Sequence, residues 1–129
     1  MTLLLDTHAI LWWWAFPDKL SQKARASIEH RENDIWVSSV SAYEISLKQH
    51  FNKLEIPQSL IENFEYHVRG EGWTLLPLTC PHAILAGQLE TDHKDPFDRL
   101  IAAQSIVENV KIVTCDQQIS RIQNIDVVW

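Results

Sequence analysis

Apolar positions along this chain alternate between short continuous runs and a spacing of three to four residues. Leu3-Leu4-Leu5 and Ile35-Trp36-Val37 are the clearest runs; both read as strands, the first as one buried on both faces of a parallel sheet. Residues 73–78, 110–114 and 125–129 predict three more strands. Between the first two lie a helix over 9–16, stopped by Pro17, and an amphipathic helix over 18–33. The second carries Leu20, Ala24 and Ile28 on one stripe, with Lys19, Lys23, Arg25, Glu29 and Arg31 elsewhere. Ser38 to Ser41 can start a further helix, along which Tyr43, Leu47 and Phe51 recur at helical spacing. After a connector at 54–57, Leu60, Ile61, Phe64 and Val68 predict a helix ending near Gly70 and Gly72. Short helices are expected over 82–89 and 117–121. A longer one over 96–108 has Leu100, Ala103 and Val107 on one face.

Strands alternating with helices imply an α/β fold, a mostly parallel sheet of about five strands with helices on both faces. Its 129 residues suffice for one domain, expected to span 1–129, and 46% hydrophobic with 22% charged residues is ordinary globular composition. No apolar run reaches the roughly 18 residues of a membrane span, and no basic leader with a cleavage site opens the chain. A cytoplasmic protein is the expectation. Cys80 and Cys115 stand alone without CxxC spacing and read as buried free thiols. A net charge of -6 argues against a broad basic nucleic-acid surface, although acids gathered round divalent cations would invert the local sign.

Four acids remote in sequence are predicted on the carboxyl edge of the sheet, where open α/β folds bind ligands. Asp6 ends the first strand, Glu44 is expected in the first turn after the second, Asp98 opens the helix before the fourth, and Asp116 comes just after the fourth. Three of them have ordinary roles open. Ser41 and Glu44 fit a capping box, and Glu44 stands four residues before Lys48. Asp95 can cap the helix that Pro96 begins, with Asp98 favoured by the helix dipole, and Asp116 can cap the short helix after it. Asp6 comes after a strand and asks for another account. Two unit charges 4 Å apart repel by about 1 kcal/mol in water and about 4 kcal/mol near a protein surface, so a cluster of four calls for protons or a cation. Hard oxygen donors suit Mg²⁺ or Mn²⁺, which can activate water for displacement at phosphorus.

The stretches LLLDTHAILWW, SSVSAYEISLK, HKDPFDRLIAAQ and IVTCD, in this order and spacing, resemble a PIN domain, specifically the VapC-like ribonuclease toxins of type II toxin-antitoxin systems. HKDPFDRLIAAQ is the most specific of them. The resemblance spans nearly the whole chain and implies Mg²⁺- or Mn²⁺-dependent cleavage of RNA. It places the family's four acids on Asp6, Glu44, Asp98 and Asp116. Asp6 and Asp98 would bind metal directly, and Glu44 and Asp116 would hold its waters or act as general base. Asp98 is preferred to Asp95 because it directly precedes RLIAAQ, which leaves Asp95 an outer-sphere role. Thr7 and Thr114 are candidates to fix those carboxylates by hydrogen bonds. Arg99 is a candidate phosphate or partner contact or a solvated arginine, and His8 and His93 read as supporting or structural. The resemblance also implies a homodimer that binds a cognate antitoxin. Trp12, Trp13 and Trp14 sweep about 200° of a helix and cannot all enter one core, so an interface or cover from neighbouring helices is expected.

Two other classes remain open. A non-catalytic interaction module on the same fold would use this edge to bind a partner, but would tolerate replacement of the four acids. A phosphatase with an aspartyl nucleophile wants a second Asp two residues after the first, where this chain has His8.

Overall fold

The computed structural model describes residues 1–129. Strands β1 (Thr2–Leu5), β2 (Asp34–Ser38), β3 (Thr74–Leu76), β4 (Lys111–Val113) and β5 (Val127–Val128) form one sheet in the order β3-β2-β1-β4-β5. Every neighbouring pair is parallel. Eight helices join them: α1 (Thr7–Ala15), α2 (Gln22–Glu29), α3 (Ser39–His50), α4 (Gln58–Glu62), α5 (Phe64–Gly70), α6 (Cys80–Gln88), α7 (Pro96–Glu108) and α8 (Gln117–Ser120). None is long and apolar enough to cross a membrane.

The three leucines of β1 are fully buried because helices cover both faces of the central strand. Side chains alternate along a strand, so Leu3 and Leu5 enter a core with Ile10 of α1, Ile28 of α2 and Val68 of α5. Leu4 enters a second core with Ile101 of α7 and Ile119 of α8. Burial of each leucine contributes about 1.5–3 kcal/mol, which is why the run has no polar alternation.

Capping chemistry sets the helix boundaries. α7 occupies the expected residues because the Asp95 carboxylate caps it, Pro96 opens it and Asn109, left-handed at φ 54°, closes it. α1 starts at Thr7, two residues earlier than expected, because Asp6 caps it. The 18–33 helix shrinks to Gln22–Glu29 because Pro17–Lys19 forms a separate 3₁₀ turn and Ser21 caps the remaining helix. The segment after residue 57 breaks at Asn63 into α4 and α5.

Two helical faces differ from expectation. In α3, Tyr43 and Phe51 are exposed and Leu47 is half-buried, while Val40, Ser41, Glu44 and Ile45 turn inward. In α7, Val107 is exposed and the inward face runs through Ile101 to Ser105. Cys80 and Cys115 are both exposed, so the expectation of buried thiols is wrong. Both stand at helix starts outside the cores, where neither strand alternation nor a helical stripe draws them in. The chain itself covers part of the tryptophan triplet. Trp12 meets Trp129, Trp13 meets Trp73, and Trp14 meets Phe64 and Trp73, yet all three stay half-buried.

The chain runs outward from β1 through β2 to β3, then returns to the other side of β1 for β4 and β5. The strand order therefore reverses between β1 and β4. Their carboxyl ends lie side by side, with the Asp6 N–H donating to the Val113 carbonyl at 3.1 Å.

Candidate active site

Asp6 leaves β1 directly into α1, and both of its carboxylate oxygens are engaged. Oδ1 accepts from the Ala9 N–H at 2.7 Å, capping the helix, and Oδ2 accepts from the Thr114 hydroxyl beyond β4. Asp6 is thus a cap, contrary to expectation, since strand and helix abut with no loop between them. The side chain is buried, and desolvation raises its pKa above the ordinary carboxylate value. The two hydrogen bonds and the His8 charge oppose that rise, and the Asp116 charge adds to it.

Glu44 projects from the second turn of α3. That helix begins at Ser39, capped by Ser38, whose hydroxyl accepts the Val40 N–H at 3.0 Å. The expected Ser41–Glu44 capping box is therefore absent. The Ser41 hydroxyl pairs instead with the Thr7 hydroxyl at 3.0 Å, so Thr7 holds α1 to α3 rather than gripping an acid. Glu44 is 2% exposed, and its Oε2 accepts from the Lys48 ammonium at 2.6 Å, the expected ion pair. Its Oε1 is buried with no hydrogen-bond partner.

Asp98 stands in the first turn of α7, below a cap made by Asp95, whose Oδ1 accepts from the Phe97 and Asp98 N–H groups at 2.9 and 3.1 Å. Desolvation pushes the Asp98 carboxyl up to about 6 against the help of the His93 hydrogen bond. The charges of Asp95, Asp116 and Glu44 push the same way as burial. Asp116 caps α8, its Oδ1 accepting the Gln118 N–H at 2.8 Å, while the Thr114 hydroxyl oxygen accepts the Asp116 N–H at 3.0 Å. Thr114 thus ties Asp6 to the backbone of Asp116.

His93, expected only as a supporting or structural residue, stands among the acids. Its Nε2 lies 2.8 Å from Asp98 Oδ2 and 3.9 Å from Asp116 Oδ2. The ligand atoms of His93, Asp98 and Asp116 all fall within 4.8 Å of one another. The structure brings these three together; Asp6 joins them through Thr114, and Glu44 acts on Asp98 through space. Arg99 neither faces solvent freely nor awaits a phosphate. Its guanidinium donates to the carbonyls of Ala86, Gly87, Leu89, Thr91 and His93, at 2.9–3.4 Å, and holds the loop that presents His93. An arginine leading into an apolar stretch of helix gives no sign of this in sequence, because the five acceptors are backbone atoms.

The donors are carboxylate oxygens and one imidazole nitrogen. Two of the acids are lifted by burial, and one buried oxygen has no partner. Such a set is short of positive charge and fits a hard divalent cation of the Mg²⁺ or Mn²⁺ type.

Known proteins share this arrangement of the chain. A sequence model of the PIN domain matches residues 3–125. Ribonuclease VapC22 of Mycobacterium tuberculosis (strain ATCC 25618 / H37Rv) is 34% identical over 122 residues, covering 92% of this chain and 89% of that protein. Among solved structures, VapBC2 from Rickettsia felis bound to a DNA fragment from their promoter contains a chain with a TM-score of 0.68 at 19% identity, covering 98% of this chain and 97% of that one. FitAcB from Neisseria gonorrhoeae gives 0.62 at 20% identity, covering 97% and 95%. At those identities the structural likeness is one of fold.

Proposed function

The chain belongs to the PIN domain family, and from that premise we propose that it is a metal-dependent endoribonuclease, the toxin of a toxin-antitoxin pair, with residues 1–129 forming one catalytic domain. The observation that carries this reading is the buried, unpartnered Oε1 of Glu44, on an edge where Asp6 and Asp98 are both lifted above ordinary carboxylate values. An unsatisfied buried polar atom costs about 1–3 kcal/mol, and a cation or its water among these acids would satisfy this one.

In this reading Asp6 and Asp98 would bind Mg²⁺ or Mn²⁺ directly, and Glu44 and Asp116 would hold its waters or take the proton from the attacking one. When bound, the ion supplies charge that acidifies a water and steadies the oxygen leaving phosphorus. Thr114 keeps Asp6 turned toward the Asp116 loop, Lys48 restrains Glu44, and His93 orients Asp98 by holding one of its oxygens. The water oxygen would form a new bond to phosphorus as a carboxylate of the cluster takes its proton, and the bond from phosphorus to the sugar oxygen would break with that oxygen taking a proton from solvent.

The half-buried tryptophans of α1 support a homodimer, and similarity to chains from toxin-antitoxin complexes supports an antitoxin as protein partner. The deciding experiment incubates purified protein with total cellular RNA in Mg²⁺ or EDTA, with Asp98→Asn purified identically. Cleavage is expected only for the native chain with Mg²⁺. Equal cleavage by Asp98→Asn would overturn the assignment.

A further inference from the structure

We propose that the cleft between α1 and the α3–α4 connector is a nucleotide subsite that takes a phosphate and a base of single-stranded RNA next to the bond being cut. This rests on the ribonuclease reading above and extends it to a surface with none of the four acids.

The cleft has a volume of about 370 Å³ and begins at His8, two residues beyond Asp6, and at Lys48, the partner of Glu44. It therefore borders the acid cluster through the sequence neighbour of Asp6 and the ion-pair partner of Glu44. Lys19 and Lys53 complete its cationic lining, and no Asp or Glu lines it. The chain has 17 acids against 11 lysines and arginines, so three lysines in one acid-free cleft run against its overall charge. Lys48 is spoken for by Glu44, but neither Lys19 nor Lys53 makes a salt bridge. Arg99, beside another cavity, is consumed by five carbonyls and offers no such charge.

Aromatic rings line the same cleft. The Lys19 ammonium lies 4.9 Å from the centre of the exposed Phe16 ring and 5.9 Å from that of Trp12. Rings that hold a cation also offer a face on which a base can stack, and stacking with neighbouring lysines is how proteins bind single strands without reading sequence. A duplex keeps its base faces stacked internally and could reach only the lysines. The lining thus matches the alternation of phosphate and base in a single strand.

The test uses the Asp98→Asn protein, expected to leave RNA uncut, and a fluorescent single-stranded oligoribonucleotide followed by anisotropy over a range of salt. Adding Lys19→Glu or Lys53→Glu to it is expected to weaken binding about tenfold each, and to lower the slope of log affinity against log salt by about one. Trp12→Leu is expected to weaken binding by about tenfold with the slope unchanged. The Mn²⁺-induced rise in unfolding temperature, measured with each lysine change in the otherwise native chain, should match that of the unsubstituted protein. A duplex of the same sequence should compete poorly. Unchanged affinity and slope in both lysine variants would overturn the subsite, as would equal competition by duplex. Loss of antitoxin binding with RNA binding intact would also overturn it and make the cleft a peptide site. Failure of the ribonuclease reading looks different: the native chain would cut no RNA under any condition.

Discussion

Asp6 and Asp98 are both buried acids lifted by desolvation, yet they are held in opposite ways. Asp6 sits between two strand ends with both oxygens occupied, by the Ala9 N–H and the Thr114 hydroxyl. Asp98 has one oxygen on His93, a residue of a loop whose position depends on the Arg99 guanidinium. The first is fixed by the sheet, the second by a clamp of side chain on backbone. A carboxylate fixed by the sheet is part of the fold's stability, whereas one held from a loop can adjust to a ligand without disturbing the core.

Cutting the clamp gives the largest expected effect. Arg99→Ala leaves five carbonyls without their donor and should destabilise the protein by about 2–4 kcal/mol in urea unfolding. Hydrogen exchange should quicken in residues 86–95 while β1 stays protected. A uniform loss of protection would mean that Arg99 supports the whole core and would erase the contrast. Next, Asp6→Ala removes a cap and leaves Thr114 with a lost acceptor, a cost of about 2–3 kcal/mol. Asp98→Ala in the metal-free protein should cost less than about 1 kcal/mol or stabilise, because it relieves repulsion from Asp95, Asp116 and Glu44. Equal losses in the two variants would break the comparison.

An effect smaller than the loss of Asp6 is a pH dependence. Below about pH 4 the Asp98 carboxyl is protonated in both the folded and unfolded chain and costs nothing. Between its unfolded value of 3.8 and its folded value of about 6, the unfolded chain ionises first, so stability falls as pH rises and the loss is complete above about 6. With solvent screening of a partly exposed side chain, the native protein should lose about 1–2 kcal/mol more across this range than Asp98→Asn does. Matching curves for the two proteins would show that Asp98 ionises as freely as in the unfolded chain.

The same division separates the features legible in the sequence from those that were not. The leucine run of β1, the parallel α/β order and α7 were readable because each is local: continuous burial, alternating periods, and Asp-Pro with its cap. Asp6, Asp98 and Asp116 could be placed at a strand end or a helix start for that reason, while Glu44 lies one turn further into its helix than its spacing predicts, because α3 starts at Ser39. The start of α1 was missed because a strand passed into a helix with no linker, and the inward face of α3 because buried Glu44 and Ser41 are polar. Exposed Tyr43 and Phe51 supplied a false apolar stripe. The roles of Arg99, His93 and Ser41 depend on partners in other elements or on backbone carbonyls, which no spacing rule encodes.

The hydrogen bond from Thr114 to Asp6 closes a loop of almost the entire polypeptide. Such distant pairings form late, after the intervening segments have collapsed. During synthesis Asp6 emerges first, and it must wait for β4 before its second oxygen finds a donor. An unfinished copy still tethered to the ribosome therefore carries Asp6 without its Thr114 donor, and the strand-end junction closes only as the last part of the chain arrives.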